Sequence, residues 1–141
     1  MPDAEVQRDA LFDAAREAAR KAHAPYSHLF VGAAIRSVSG HIYAGCNVEN
    51  ASYPLGNCAE SSAIAAGVQA EGVGFRIAEV AVHAERPDGV PVAASPCGGC
   101  RQRLHEFARD GAVPVHFRWH DGVPHTLALG ELLPWAFMFS R

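Results

Sequence analysis

The chain of 141 residues has no apolar run near the roughly 20 residues that a membrane-spanning helix needs. It has no basic excess either: 12 Lys and Arg stand against 15 Asp and Glu, for a formal net charge of -3. A broad phosphate-binding surface requires clustered positive charge, so no nucleic-acid polymer is expected as a partner. A small nucleoside stays compatible with that balance. Internal repeats, low-complexity tracts and Pro/Gly/Ser-rich linkers are missing, which predicts one domain over residues 1–141. The stretch 1–21 carries both charge signs and lacks the continuous apolar block of a secretory signal, so a cytoplasmic protein with no membrane contact is expected. What the chain does have is a 49% apolar and 19% charged composition, which belongs to an ordered globular fold.

Cysteine is scarce, with Cys46, Cys58, Cys97 and Cys100 the whole supply. In a reducing compartment these stay free thiols, so they serve packing or chemistry rather than cross-linking. Their neighbours depend on the local structure. Apolar residues at three- and four-residue steps predict a helix over 4–22, and strands are expected at 30–36 and 41–46 around a Ser39-Gly40 turn. A second helix is predicted over 57–69, with Asn57 as its cap and Glu60 completing a capping box. Further strands are expected at 77–83, 113–119 and 125–129, and a third helix at 97–108. The strand–helix alternation from residue 77 onward predicts a parallel pair within the sheet.

Pro96-Cys97-Gly98-Gly99-Cys100 places two thiols at a helix start, where both sulfurs can reach one ion about 2.3 Å away. The positive end of the helix favours thiolate there. Alone, such a pair is compatible with metal binding, redox chemistry or packing. Cys58-Ala59-Glu60 adds a third thiol at another helix start, with a carboxylate two residues on. Three ligands leave tetrahedral zinc one open position, the arrangement of a catalytic site rather than a structural one. Zinc lowers the pKa of a bound water towards 7, and a nearby carboxylate can take that water's proton and pass it on. Glu60 is the candidate for that task; the rival role is a solvated acid at the helix dipole. The pattern of an acid two residues after a ligand, followed by Pro-Cys-x-x-Cys, is the signature of zinc deaminases.

Asn47 and Glu49, two residues apart at a predicted strand end, can face one side, and an amide with a carboxylate suits a sugar diol. The alternative is a polar turn. Together with Ala24-Pro25-Tyr26-Ser27-His28, Val31-Gly32-Ala33-Ala34, the run from Gly45 to Gly56 and Cys97-Gly98-Gly99-Cys100-Arg101-Gln102, these residues closely resemble the cytidine deaminase family. The resemblance covers about residues 24–137. It implies a three-layer α/β/α fold with a mixed five-stranded sheet, one zinc ion per subunit on Cys58, Cys97 and Cys100, and Glu60 as proton shuttle. It implies hydrolytic deamination of cytidine and 2'-deoxycytidine in pyrimidine nucleoside salvage, with Asn47 and Glu49 on the ribose hydroxyls. The backbone around Ala59 and Ser95 would read the pyrimidine edge. It also implies a homotetramer whose sites borrow residues, with Phe137 stacking over the base of another subunit; from composition alone, a core or interface anchor accounts for Phe137 equally well. Tyr53 could contact either substrate or subunit.

Two departures stand out. The family usually carries Phe-Pro after Tyr-Ser-His, whereas this chain has Leu29-Phe30; if Leu29 faces the base, an aromatic contact has become aliphatic. The family commonly has Arg after Cys-Ala-Glu, and here Ser61 stands there, which leaves the charge balance of the thiols to Arg101 or to a more distant arginine. Cys46 is expected to be a small buried apolar group and His28 a hydrogen-bonded structural histidine. The rival readings are deamination of another heterocycle, such as a modified cytidine, and a non-catalytic zinc-stabilised protein in which Glu60 only caps its helix.

Overall fold

Asp3 opens the first helix, α1 (Ala4–Ala19), by accepting a hydrogen bond from the Val6 N–H at 2.9 Å. The structure, a computed structural model, describes residues 3–139. The apolar face of α1 buries Leu11, Phe12, Ala15 and Ala19. The helix stops three residues short of the predicted end at 22. There the His23 N–H donates to Asn47 O at 3.1 Å and its carbonyl accepts the Glu49 N–H at 2.8 Å. Those bonds draw the chain into a strand-like bridge.

Six strands follow: β1 (Phe30–Ser37), β2 (Ile42–Cys46), β3 (Ile77–Glu85), β4 (Pro91–Val92), β5 (Pro114–Arg118) and β6 (Pro124–Ala128). Five of them form one sheet in the order β2-β1-β3-β5-β6, as the five-stranded expectation required, and the two-residue β4 pairs with β3 as a sixth. β4 is too short to leave a periodic trace in the sequence. β1 runs antiparallel to β2 and β3, and β5 antiparallel to β6. The anticipated parallel pair is β3 with β5, Val80 lying opposite Val115. Between them the chain crosses over through α3 (Gly98–Phe107). The remaining helices are α2 (Ala59–Glu71) and the short α4 (Leu129–Leu132), which the sequence did not reveal.

Successive strand residues face opposite sides, so the sheet divides two cores. Ala34 and Ala81 pack on α1 with Leu11, Phe12 and Ala15. Ala33, Ile35, Val80, Val82 and Val115 pack on the other side with Ala63 and Ile64 of α2 and Leu104 of α3. The result is the expected three-layer α/β/α arrangement. Two glycines permit the close contacts: a Cβ at Gly32 would lie 1.8 Å from Ala15 O, and one at Gly45 would lie 2.5 Å from Ala63 N.

Under α1 the sheet carries a buried polar layer. His116 Nε2 and Glu79 Oε2 lie 2.7 Å apart, Arg36 Nε donates to Glu79 Oε1 at 3.2 Å, and His116 Nδ1 meets Thr126 Oγ1 at 2.7 Å. No helix among the described residues is long and apolar enough to cross a membrane.

Candidate active site

The helix starts are where the chemistry gathers. Asn57 does not cap α2 as predicted, because its backbone pairs with Val48 through two 2.9 Å hydrogen bonds that keep it extended. The cap is Cys58, whose side chain makes no capping bond and is free to turn inward. Glu60 therefore completes no capping box. Cys97 caps α3 in the same way, and Cys100 lies within the first turn of that helix.

The Sγ atoms of Cys58, Cys97 and Cys100 all lie within 4.8 Å of one another. That spacing and an all-thiol donor set fit one zinc ion with a position left open. Backbone N–H groups of the α3 turn, first that of Cys100, bring the Cys97 thiol below its ordinary range. Burial pushes Cys58 and Cys100 upward. Cys46 takes no part in the cluster, and it is half-buried in β2 rather than enclosed in the core.

Glu60, in the first turn of α2, is only 4% exposed. Burial pushes its carboxyl above the usual range, opposed by the α2 backbone, the Cys100 thiol and the Arg103 charge. This carboxyl shares a cavity of about 390 Å³ with Cys58, Cys97, Ala59 and Ser95. Leu29, Asn47, Glu49 and Tyr53 line the same cavity. Its size suits a small organic molecule rather than a polymer. A second recess of about 340 Å³ shares Glu49, Tyr53 and Gly56 with it and is otherwise lined by Tyr26, Ser27 and Asn50.

Asn47 and Glu49 both reach the cavity, and each also holds its wall in place. Asn47 Oδ1 accepts the Val31 N–H at 2.9 Å, while Nδ2 donates to Leu29 O at 2.9 Å and keeps a second N–H. Glu49 Oε1 accepts the N–H groups of Tyr26 and Ser27 at 3.0 and 3.1 Å, and its other oxygen accepts from the Ser27 hydroxyl. These bonds, led by that hydroxyl, hold the Glu49 carboxyl below its ordinary range. Ser27 Oγ in turn accepts the Leu29 N–H at 3.0 Å. Ser27 had no individual mark in the sequence, since its partner is 22 residues away. His28 serves through its backbone, at a φ of 57° that turns the chain towards Leu29; its side chain is exposed and makes no hydrogen bond among the described residues.

Arg101 does not serve the thiols. It donates to Pro96 O at 2.8 Å, to Leu132 O at 3.1 Å and to Ser95 Oγ at 3.4 Å, fixing the loop that precedes Cys97. The arginine at the sulfurs is Arg103, with Nη1 3.7 Å from Cys100 Sγ. Phe137 does not line this cavity and is 64% exposed. Gln102 grips its backbone, accepting the Phe137 N–H at 3.2 Å and donating to its carbonyl at 2.9 Å.

Comparison with known proteins agrees with this geometry. The family model for the cytidine and deoxycytidylate deaminase zinc-binding region matches residues 5–116. A cytidine deaminase of Sporosarcina psychrophila is 38% identical over 122 residues, 86% of this chain and 85% of the relative. One from Mycobacterium tuberculosis is 39% identical over 137 residues, 97% of this chain and 92% of the relative. Among solved structures, a cytidine deaminase from Burkholderia pseudomallei superposes with a TM-score of 0.78 at 39% identity, covering 92% of this chain and 98% of that one. The three-layer fold, the three gathered thiols and these matches place the chain in the cytidine and deoxycytidylate deaminase family.

Proposed function

We propose that the protein is a zinc-dependent cytidine deaminase, a hydrolase that converts cytidine and 2'-deoxycytidine to uridine and 2'-deoxyuridine with release of ammonia. The observation that carries this reading is a buried carboxyl, Glu60, in one cavity with Cys58 and Cys97 and beside the buried Cys100. Cys58, Cys97 and Cys100 would hold one zinc ion per subunit. When bound, zinc supplies a Lewis acid that makes water nucleophilic near neutral pH.

The remaining steps belong to the chain. Glu60 accepts one proton of the attacking water and delivers it to the pyrimidine ring nitrogen, then takes the remaining proton of that oxygen and delivers it to the amino group, which leaves as ammonia. Burial raises the Glu60 carboxyl above the usual range, which favours its taking up a proton in the site. Asn47 keeps one amide N–H for a ribose hydroxyl, and Glu49, held ionised by Ser27, is the acceptor for the sugar diol. The backbone at Ala59 and Ser95 faces the pyrimidine edge, with Leu29 and Tyr53 beside base and sugar.

Phe137 would enter the site of a neighbouring subunit, in a homotetramer working on pyrimidine nucleosides in the cytoplasm. Its exposure and its absence from the cavity of its own chain support that arrangement. The test is an absorbance and ammonia assay of the zinc-loaded protein with cytidine, 2'-deoxycytidine and free cytosine. Turnover of both nucleosides, with cytosine left behind for want of a ribose, is expected. No ammonia from either nucleoside would overturn the reading.

A further inference from the structure

We infer that Arg103 is the cation that balances the thiolate cluster, a positioning residue that acts on the metal through Cys100. The inference rests on the proposed zinc site. Three thiolates outweigh one divalent zinc by a full negative charge, and the buried Glu60 carboxyl adds to the deficit when ionised. Two helix N-termini offset part of it, each acting like roughly half a positive charge. With Glu60 ionised, one further positive charge is needed nearby.

Helix α2 cannot provide one. Its sequence from Ala59 to Glu71 contains no Lys or Arg, and Ser61 offers only a hydroxyl. Arg101, the residue after Cys100, turns away to two backbone carbonyls and the Ser95 hydroxyl. Arg103 stands three residues after Cys100, so the two side chains share one face of α3. Although Arg103 is exposed as a residue, its guanidinium folds back until Nη1 is 3.7 Å from the Sγ of Cys100, which is itself fully buried. That is its one hydrogen bond among the described residues.

Gly99 keeps this route open. A Cβ there would lie 3.3 Å from Arg103 Nη1, tight enough to push the guanidinium off its path. A guanidinium donating to a ligand sulfur draws electron density from it and leaves the metal a stronger Lewis acid. It also holds its charge at every working pH, which a lysine in the same place does less securely.

The experiment is zinc competition against a chromophoric chelator with the wild-type protein, Arg103→Met and Arg103→Lys, alongside absorption spectra of their cobalt(II) forms. We expect Arg103→Met to bind zinc about tenfold more weakly and to shift the thiolate-to-cobalt band, with Arg103→Lys close to wild type. The metal-free proteins should melt together, because the exposed side chain makes no other hydrogen bond and no salt bridge among the described residues. Equal zinc affinity and an unchanged cobalt spectrum in Arg103→Met would overturn the inference. A wild-type protein that binds neither metal would instead contradict the zinc site itself.

Discussion

Burial acts on the ionisable side chains of this protein with opposite results, depending on what faces them. Glu79 would be raised by burial alone, yet hydrogen bonds from His116 and Arg36 bring it below its ordinary value. His83, 3% exposed on the same face of β3, has no such help. Burial first, then the positive charges of Arg16 on α1, Arg118 on β5 and Arg20 at the cap that ends α1, press its pKa down to about 4. Its Nε2 and the Glu85 Oε1 lie 3.8 Å apart, and both are buried without a hydrogen-bond partner. His83 is therefore neutral in the fold at pH 7, while in the unfolded chain it gains a proton below about 6.5. The unfolded state binds more protons at His83 across that interval, so the stability contributed by keeping this group neutral is complete above pH 6.5 and is lost as pH falls towards 4. Urea titrations at several pH values should show this loss in the wild type and a shallower one in His83→Gln. Parallel curves for the two proteins would show that another group controls the acid limb.

Among the elements, those legible in the sequence are the ones with local causes. Two thiols separated by two glycines at a helix start, and a third thiol two residues before an acid, are short-range patterns, and the fold gathers all three sulfurs. The β1–β2 hairpin and the parallel β3–β5 pair also follow from local alternation. The failures have distant causes. Asn57 has the side chain of a helix cap, but Val48 claims its backbone, so α2 begins one residue later than its capping chemistry suggests. Asn47 and Glu49 were legible as a polar pair, whereas their bonds to the 26–31 segment span 16 to 23 residues and left no local signal. Arg103 sits at a spacing that could have been noticed. Nothing in the sequence placed it ahead of Arg101, whose partners at Pro96 and Leu132 appear only once α4 has folded against α3.

On the scale of the whole molecule, the C-terminal segment is the unfinished surface. Trp135, Phe137 and Phe139 are 95%, 64% and 83% exposed, with Met138 between them, and the Phe137 and Phe139 rings meet edge to face at 5.3 Å. A small protein that leaves so much aromatic surface in water pays in solubility, and burial against a second copy removes that cost. Gln102 fixes the Phe137 backbone through both its N–H and its carbonyl, while the side chain remains largely exposed. Light scattering should give a mass four times that of the chain at working concentration. An active monomer would remove the need for Phe137 to act between subunits.

The central claim is that Glu60 moves the protons of a hydrolytic deamination beside a three-thiol zinc site, and Glu60→Gln tests it most directly. Glutamine fills the same buried volume and keeps hydrogen-bonding capacity, but it cannot take up or release a proton in this chemistry. The variant should fold, bind zinc like the wild type and release ammonia from cytidine at least about 100-fold more slowly. Near-normal ammonia release from folded, zinc-loaded Glu60→Gln would contradict the account.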